Sequence, residues 1–177
     1  MKIQFIKFTV FYTWALVLCL FLLFSSSCAR GIKETRLSQE DPSFSMIIAS
    51  DSSEFKDSIR NRIVRHYQDH GNIEIINIKR LKAINPLDYD VVLIIDTTLA
   101  WSGFNPSLNT FLKANEYKKN VVVFMTAADP DWTYSYQGVD AITSASVLEN
   151  IDVKFEEIRQ QIDRRLNLPG DTIKPAS

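Results

Sequence analysis

Residues 88–103 read DYDVVLIIDTTLAWSG and contain the most strand-like run of the chain. Residues 91–95 are all apolar, with polar residues on both sides. A continuous apolar run of this length is typical of a strand that is buried on both faces of a parallel sheet. Other runs rich in apolar residues occur at residues 45–50, 73–78 and 121–125, and a short fifth strand is expected at 139–143. We therefore expect a parallel sheet of four to five strands.

Helical patterns alternate with these runs. Ser52 or Ser53 can cap a helix that runs to about residue 70, and further helices are expected over residues 107–118 and 147–166. The side chains expected to face the sheet are Phe55, Ile59, Ile63, Tyr67, Leu108, Phe111, Leu112, Val153, Ile158 and Ile162. This alternation predicts an α/β fold of three layers, with helices on both faces of the sheet. Residues 127–138 barely provide the dozen residues that a crossover needs, so we expect no helix before the last strand.

The composition excludes two classes of protein. The chain has 177 residues, two cysteines and a formal net charge of −1, from 20 basic and 21 acidic side chains. Two cysteines are too few for a disulfide-stabilised scaffold. The balanced charge argues against a nucleic-acid-binding protein, which would carry a basic excess.

The N-terminus has the pattern of an export signal. Lys2 and Lys7 precede an uncharged, largely apolar run that ends in three serines directly before Cys28. A basic segment, an apolar segment and small residues before a cleavage point predict a signal peptide over residues 1–27. The cysteine after small residues resembles the lipobox of bacterial lipoproteins, although Ser25 stands where leucine is usual. The resemblance implies cleavage before Cys28, lipidation of Cys28, and no free thiol in the mature chain.

The alternative for this segment is an uncleaved transmembrane helix over residues 8–24, at the lower limit of the length that spans a bilayer. Both interpretations keep Lys2 and Lys7 on the cytoplasmic side. Both therefore place the domain on the extracytoplasmic side of the cell membrane or outer membrane. Residues 28–43 are polar and aperiodic and are expected to be a lipidated N-terminus and flexible tether. The domain is expected over residues 44–168, followed by a disordered tail over 169–177.

The central segment resembles proteins of the flavodoxin-like family. The resemblance rests on the Tyr89-Asp90 pair before an apolar strand, the threonine turn after that strand, the aromatic residue and glycine at Trp101 and Gly103, and the Phe-Leu pair at 111–112. Residues 119–127 resemble the next strand of that family and its threonine loop. The resemblance covers residues 44–166 and implies a three-layer flavodoxin-like sandwich.

The family binds FMN with three loops at the carboxyl ends of the strands, and the resemblance implies which residues would bind it here. The positions that match are Ser50, Ser52, Ser53, Thr97, Trp101, Thr126 and Ala127. The phosphate loop lacks glycine and carries Asp51 and Glu54, whose charge has the wrong sign for a phosphate dianion. The sequence therefore favours a non-catalytic binding or structural module at the cell envelope. The alternative is an FMN-binding electron-transfer protein, with Trp101 stacked on the flavin.

Two other arrangements have weaker support. Asp51, Asp96 and Thr126 lie at strand ends as in receiver domains, where acids bind Mg²⁺, but no lysine follows the fifth strand. His66 and His70 have a helical metal-binding spacing without a visible third ligand, so we expect two histidines at the edge of a helix. We expect no metal site and no catalytic residue, and the sequence names no protein partner.

Overall fold

The chain divides into two units, residues 1–30 and residues 31–177. The structure is a computed structural model that describes residues 31–98, 105–115, 118–127, 135–136 and 139–168. These ranges all lie in the second unit. The expected signal peptide over 1–27, the lipidation site Cys28 and the expected tail over 169–177 lie outside the described residues.

The described residues form a largely parallel sheet. Its strands are β1 (Thr35–Leu37), β2 (Phe44–Ser50), β3 (Gly71–Asn77), β4 (Val91–Thr97), β5 (Val121–Ala127), β6 (Ser135–Tyr136) and β7 (Val139–Ala145). Their spatial order is β1-β3-β2-β4-β5-β7-β6. The five strands β3, β2, β4, β5 and β7 pair in parallel, whereas β1 and β6 pair antiparallel at the two edges. The predicted parallel sheet of four to five strands is confirmed, with five strands in its parallel part and two antiparallel edge strands that were not predicted.

Helices cover both faces of this sheet. They are α1 (Glu54–Tyr67), α2 (Pro106–Ala114) and α3 (Ile151–Leu166), with shorter 3₁₀ helices at Ile78–Ala83, Pro86–Asp88 and Leu148–Asn150. One apolar cluster joins the sheet to α1 and α3, and a second joins it to α2 and the 3₁₀ helix Ile78–Ala83. The predicted α/β class is therefore confirmed.

The two clusters explain why the strands read as continuous apolar runs. In β2, Met46 and Ile48 point toward α1 and α3, whereas Ile47 and Ala49 point toward α2. Successive side chains of a strand point to opposite faces. A sheet covered on both faces therefore needs an apolar side chain at every position, which is the pattern seen in β2, β4 and β5.

Several predicted helix limits were wrong. Helix α1 ends at Tyr67, three residues before the predicted end, because Gly71 already begins β3. Helix α3 begins at Ile151, and Val153, predicted to face inward, is 60% exposed. Ile151, Ile158 and Ile162 are spaced seven and four residues apart and form the buried stripe of α3. Position 153 lies about 200° around the helix from position 151, so its side chain faces solvent.

The tether prediction does not hold for residues 35–37. They form β1, which pairs with β3 in the register Thr35 with Ile75 and Leu37 with Ile73. Ile32 and Leu37 also pack against the apolar cluster of α1 and α3. The sheet therefore includes residues that precede the predicted domain boundary at residue 44.

The connection before the last parallel strand lies partly outside the described residues. Residues 128–134 and 137–138 are not among them. The described part is β6, a two-residue strand that pairs antiparallel with β7.

Candidate functional site

Polar side chains meet at the carboxyl ends of the parallel strands. Ser50 ends β2, Thr97 ends β4, and Thr126 and Ala127 end β5. Thr97 lies beside Thr126 in the sheet register, and Thr126 lies beside Ser144 of β7. The sheet therefore brings four of the predicted FMN residues to one edge. Trp101, predicted to stack on the flavin, lies outside the described residues.

The serines of the predicted phosphate loop are engaged in local hydrogen bonds. The Ser50 hydroxyl donates to the carbonyl oxygen of Asp51 at 2.6 Å, and Ser52 donates to the Asp57 carboxylate at 2.8 Å. Ser53 is the N-cap of α1, and its hydroxyl accepts from the backbone N–H of Lys56 at 3.3 Å. This contact satisfies one of the unpaired N–H groups at the helix start. The cap predicted at Ser52 or Ser53 is confirmed at Ser53.

Lys56, which was not predicted as a site residue, lies at the centre of this edge. The residue is only 3% exposed. Its ammonium group is paired with the carboxylate of Asp51 and donates to the Thr97 hydroxyl at 2.8 Å. A buried ammonium group needs such partners because its desolvation is costly. The helical spacing of Lys56 with Ile59 and Ile63 places it on the buried stripe of α1, and this spacing was the signal in the sequence.

A row of hydroxyl groups extends from Lys56 along the sheet. The hydroxyls of Thr97 and Thr126 are hydrogen-bonded at 3.0 Å, and the Thr126 hydroxyl lies 3.3 Å from the carbonyl oxygen of Asp96. Thr126 and Ser144 are both buried. The two threonine hydroxyls lie on the α1 side of the sheet, where they bond to each other and to Lys56.

Asp96 lies in the central strand on the opposite side of the sheet from this row. It is 3% exposed, and one carboxylate oxygen accepts from the Thr97 backbone N–H at 2.8 Å. The other oxygen, Oδ2, has no hydrogen-bond partner among the described residues. The pKa of Asp96 is raised from 3.8 to about 6, mainly by burial and also by the nearby carboxylate of Asp51, whereas the Thr97 N–H and Lys56 oppose the increase. Asp96 can therefore exchange a proton close to neutral pH.

The described loops do not fit the phosphate group of FMN. All three serines are already hydrogen-bonded within the chain. The buried cation beside this loop, Lys56, is paired with Asp51. A phosphate dianion placed here would meet the carboxylates of Asp51 and of Glu54, which is the first residue of α1.

The other two arrangements considered from the sequence gain no ligands. Within the described ranges, no group of three or more His, Cys, Asp or Glu side chains is placed to hold a metal ion. His66 packs against the rings of Tyr67 and Phe155, and burial lowers its pKa. His70 lies beyond the end of α1, so the helical spacing of the two histidines is not formed.

Comparisons with known proteins do not assign the chain to a family. The chain matches no protein-family model, and no curated protein is similar to it at a significant level. None of the helices in the described part of the chain combines the length and the apolarity needed to cross a bilayer.

Proposed function

We propose that this chain is a cell-envelope lipoprotein whose flavodoxin-like domain is a non-catalytic binding or structural module. The observation that carries the proposal is the internal pairing at the carboxyl ends of the strands. Lys56 is paired with Asp51 and hydrogen-bonded to Thr97, and the serines of the first loop bond within the chain. These contacts stabilise the loop and α1, and the carboxylates of Asp51 and Glu54 would repel a phosphate at this loop.

The strand order supports the flavodoxin-like part of the proposal. When the five parallel strands are numbered along the chain, their order across the sheet is 2-1-3-4-5. This is the order of flavodoxin-like sheets. Ligands of such sheets bind outside the carboxyl ends of the strands, which is the edge where Lys56, Asp96 and the hydroxyl row lie. The same fold serves many functions. Whether this domain binds FMN therefore depends on its loops and not on its strand order.

FMN titration tests the absence of a flavin site. The full chain, purified in a mild detergent, is expected to leave flavin fluorescence unquenched and to show no thermal shift in FMN. A flavodoxin in the same detergent is the positive control. A yellow protein that binds FMN at micromolar concentration or tighter would contradict the proposal and favour the electron-transfer alternative.

The lipid anchor rests on the sequence before Cys28, and it has a matched control within the chain. Labelling with a fatty-acid analogue is expected in the wild type and in Cys19→Ser, because Cys19 leaves with the signal peptide. Labelling is expected to disappear in Cys28→Ser. If Cys28→Ser is labelled like the wild type, the lipidation site is wrong. If the wild type is unlabelled but stays in the membrane, the uncleaved helix is the correct alternative.

A further inference from the structure

Residues 32–34 lie beside a short basic helix. Ile32 packs against the apolar core. The Glu34 carboxylate accepts from the backbone N–H of Asn77 at 3.1 Å and from Arg80 at 2.6 Å. Asn77 is the last residue of β3 and the N-cap of the 3₁₀ helix Ile78–Ala83. The chain is therefore fixed to the domain at the carboxyl end of β3, next to this helix.

The sequence of this helix separates an apolar side from a basic side. Side chains three residues apart in a 3₁₀ helix lie one above the other. Ile78 and Leu81 are buried and face α2. Lys79 and Lys82 form the next ridge, and both are exposed. The helix therefore uses one ridge to join the core and presents two cations to solvent.

We call the exposed cations at this corner the basic corner: Lys33, Lys79, Arg80 and Lys82. Arg80 is paired with Glu34, and in the described part of the chain the other three have no ion-pair partner. Residues 78–83 contain no acid. Most cations of α1 and α3 differ, because they form ion pairs, as Arg60 does with Asp57 and Lys154 with Glu157. The basic corner is thus a local positive surface on a chain of net charge −1.

The proposed lipid anchor would hold this surface near a membrane. Four peptide steps separate Cys28 from Ile32, and a fully extended chain of that length spans about 14 Å. Electrostatic attraction to a charged surface extends over about 8–10 Å at physiological salt. Each Lys or Arg near an anionic bilayer contributes to binding, and an acyl anchor with a basic patch binds more stably than one acyl chain alone.

We infer that the basic corner docks on anionic lipid headgroups and so fixes the orientation of the domain on the membrane. The inference rests on the lipid anchor of the proposed function. Docking would turn the 3₁₀ helix toward the bilayer. The amino ends of the strands, where the exposed Lys119 precedes β5, would then point away from it.

Acetylation of lysines on vesicle-bound protein tests this orientation. The full lipidated chain is reconstituted into vesicles of phosphatidylcholine, or of phosphatidylcholine with about a third phosphatidylglycerol. Lys79 and Lys82 are expected to react about fivefold more slowly on the anionic vesicles, whereas Lys119 reacts equally on both. High salt is expected to remove the difference, because it screens the attraction. If free inorganic phosphate slows the acetylation of Lys79 and Lys82 on neutral vesicles by the same factor, the corner binds anions in general. That result would overturn the inference of docking on lipid.

Charge reversal provides matched variants. In Lys79→Glu/Lys82→Glu, the remaining Lys33 is expected to react equally on both kinds of vesicle. The control Lys113→Glu/Lys119→Glu makes the same change in net charge outside the basic corner. In this control, Lys33 is expected to react more slowly on anionic vesicles, as in the wild type. Flotation separates the two proposals. Protein that floats with neutral vesicles but shows no lipid-dependent acetylation overturns the docking alone. Protein that floats with neither kind of vesicle overturns the anchor and the docking together.

Discussion

Substitution of Asp96 by asparagine should change how stability depends on pH. The carboxyl is buried in the central strand, and one oxygen lacks a hydrogen bond within the described residues. Burial raises its pKa to about 6, against an ordinary value of 3.8. Between these two pH values the native protein keeps a proton that the unfolded chain has lost. The stability that the neutral carboxyl provides is therefore complete below about pH 4 and is lost as pH rises through 6.

The size of the effect follows from the difference between the two pKa values. A difference of about two pH units corresponds to about 3 kcal/mol over the whole titration. Between pH 4.5 and 7.5 the accessible part is about 2 kcal/mol. An asparagine side chain cannot ionise. The free energy of unfolding of Asp96→Asn should therefore not fall by this amount between pH 4.5 and 7.5. An unpaired amide group in the variant would lower stability equally at both pH values and would cancel in the comparison.

Urea unfolding, followed by circular dichroism at pH 4.5 and 7.5, measures this difference. The free energy of unfolding of the wild type should fall by about 2 kcal/mol relative to Asp96→Asn over this interval. Asp41 is exposed, so Asp41→Asn should follow the wild type. Parallel curves for the wild type and Asp96→Asn, within about 0.5 kcal/mol, would refute the idea that Asp96 is desolvated in the native state.

Three further substitutions test other contacts by the same unfolding assay. Lys56→Met should lower the free energy of unfolding by about 1–2 kcal/mol and raise the pKa of Asp96 further. Lys154→Met, which removes an ion pair with Glu157 nearer the surface, should cost about 0.5 kcal/mol or less, and an equal loss in both variants would contradict a special role for Lys56. Tyr67→Phe should cost about 1–2 kcal/mol, because the Tyr67 hydroxyl donates to the buried Asp163 carboxylate at 2.6 Å. The control is Tyr89→Phe, whose bond to Glu74 is 3.2 Å long and partly exposed, and a larger loss there would be inconsistent with the burial difference. Gly71→Ala should cost about 2 kcal/mol, because the added methyl group would overlap the Phe44 ring, and an additional Phe44→Leu substitution should recover part of the loss if this overlap is the cause.

The strands were predictable because burial on both faces leaves an uninterrupted apolar run. The helical spacing of apolar residues placed Ile59, Ile63, Leu108 and Phe111 correctly in the core. It failed at Val153, because a helix of mixed polarity allows more than one choice of apolar stripe. The antiparallel edge strand β1 was missed because three residues are too few to produce a pattern.

The candidate site was predictable in position but not in its contacts. A parallel sheet brings its carboxyl ends to one edge, so Ser50, Thr97 and Thr126 were expected there. The sequence contains no sign that Lys56 pairs with Asp51, since this pairing depends on the angle at which α1 packs on the sheet. The sequence likewise does not reveal that Asp96 is desolvated, since this depends on which parts of the fold cover the end of β4.

The short strand β1 also bears on how the isolated domain would behave. It covers Ile73, Glu74 and Ile75 of β3, in a segment with the sequence NIEII. Without β1, the backbone groups of an isoleucine-rich strand would be open along the edge of the sheet. Open edges of this kind pair with other chains and lead to aggregation. A fragment that begins at residue 44 would lack this protection, whereas one that begins at residue 31 would keep it. Residues 35–37 thus shield the edge of the sheet from pairing with other chains.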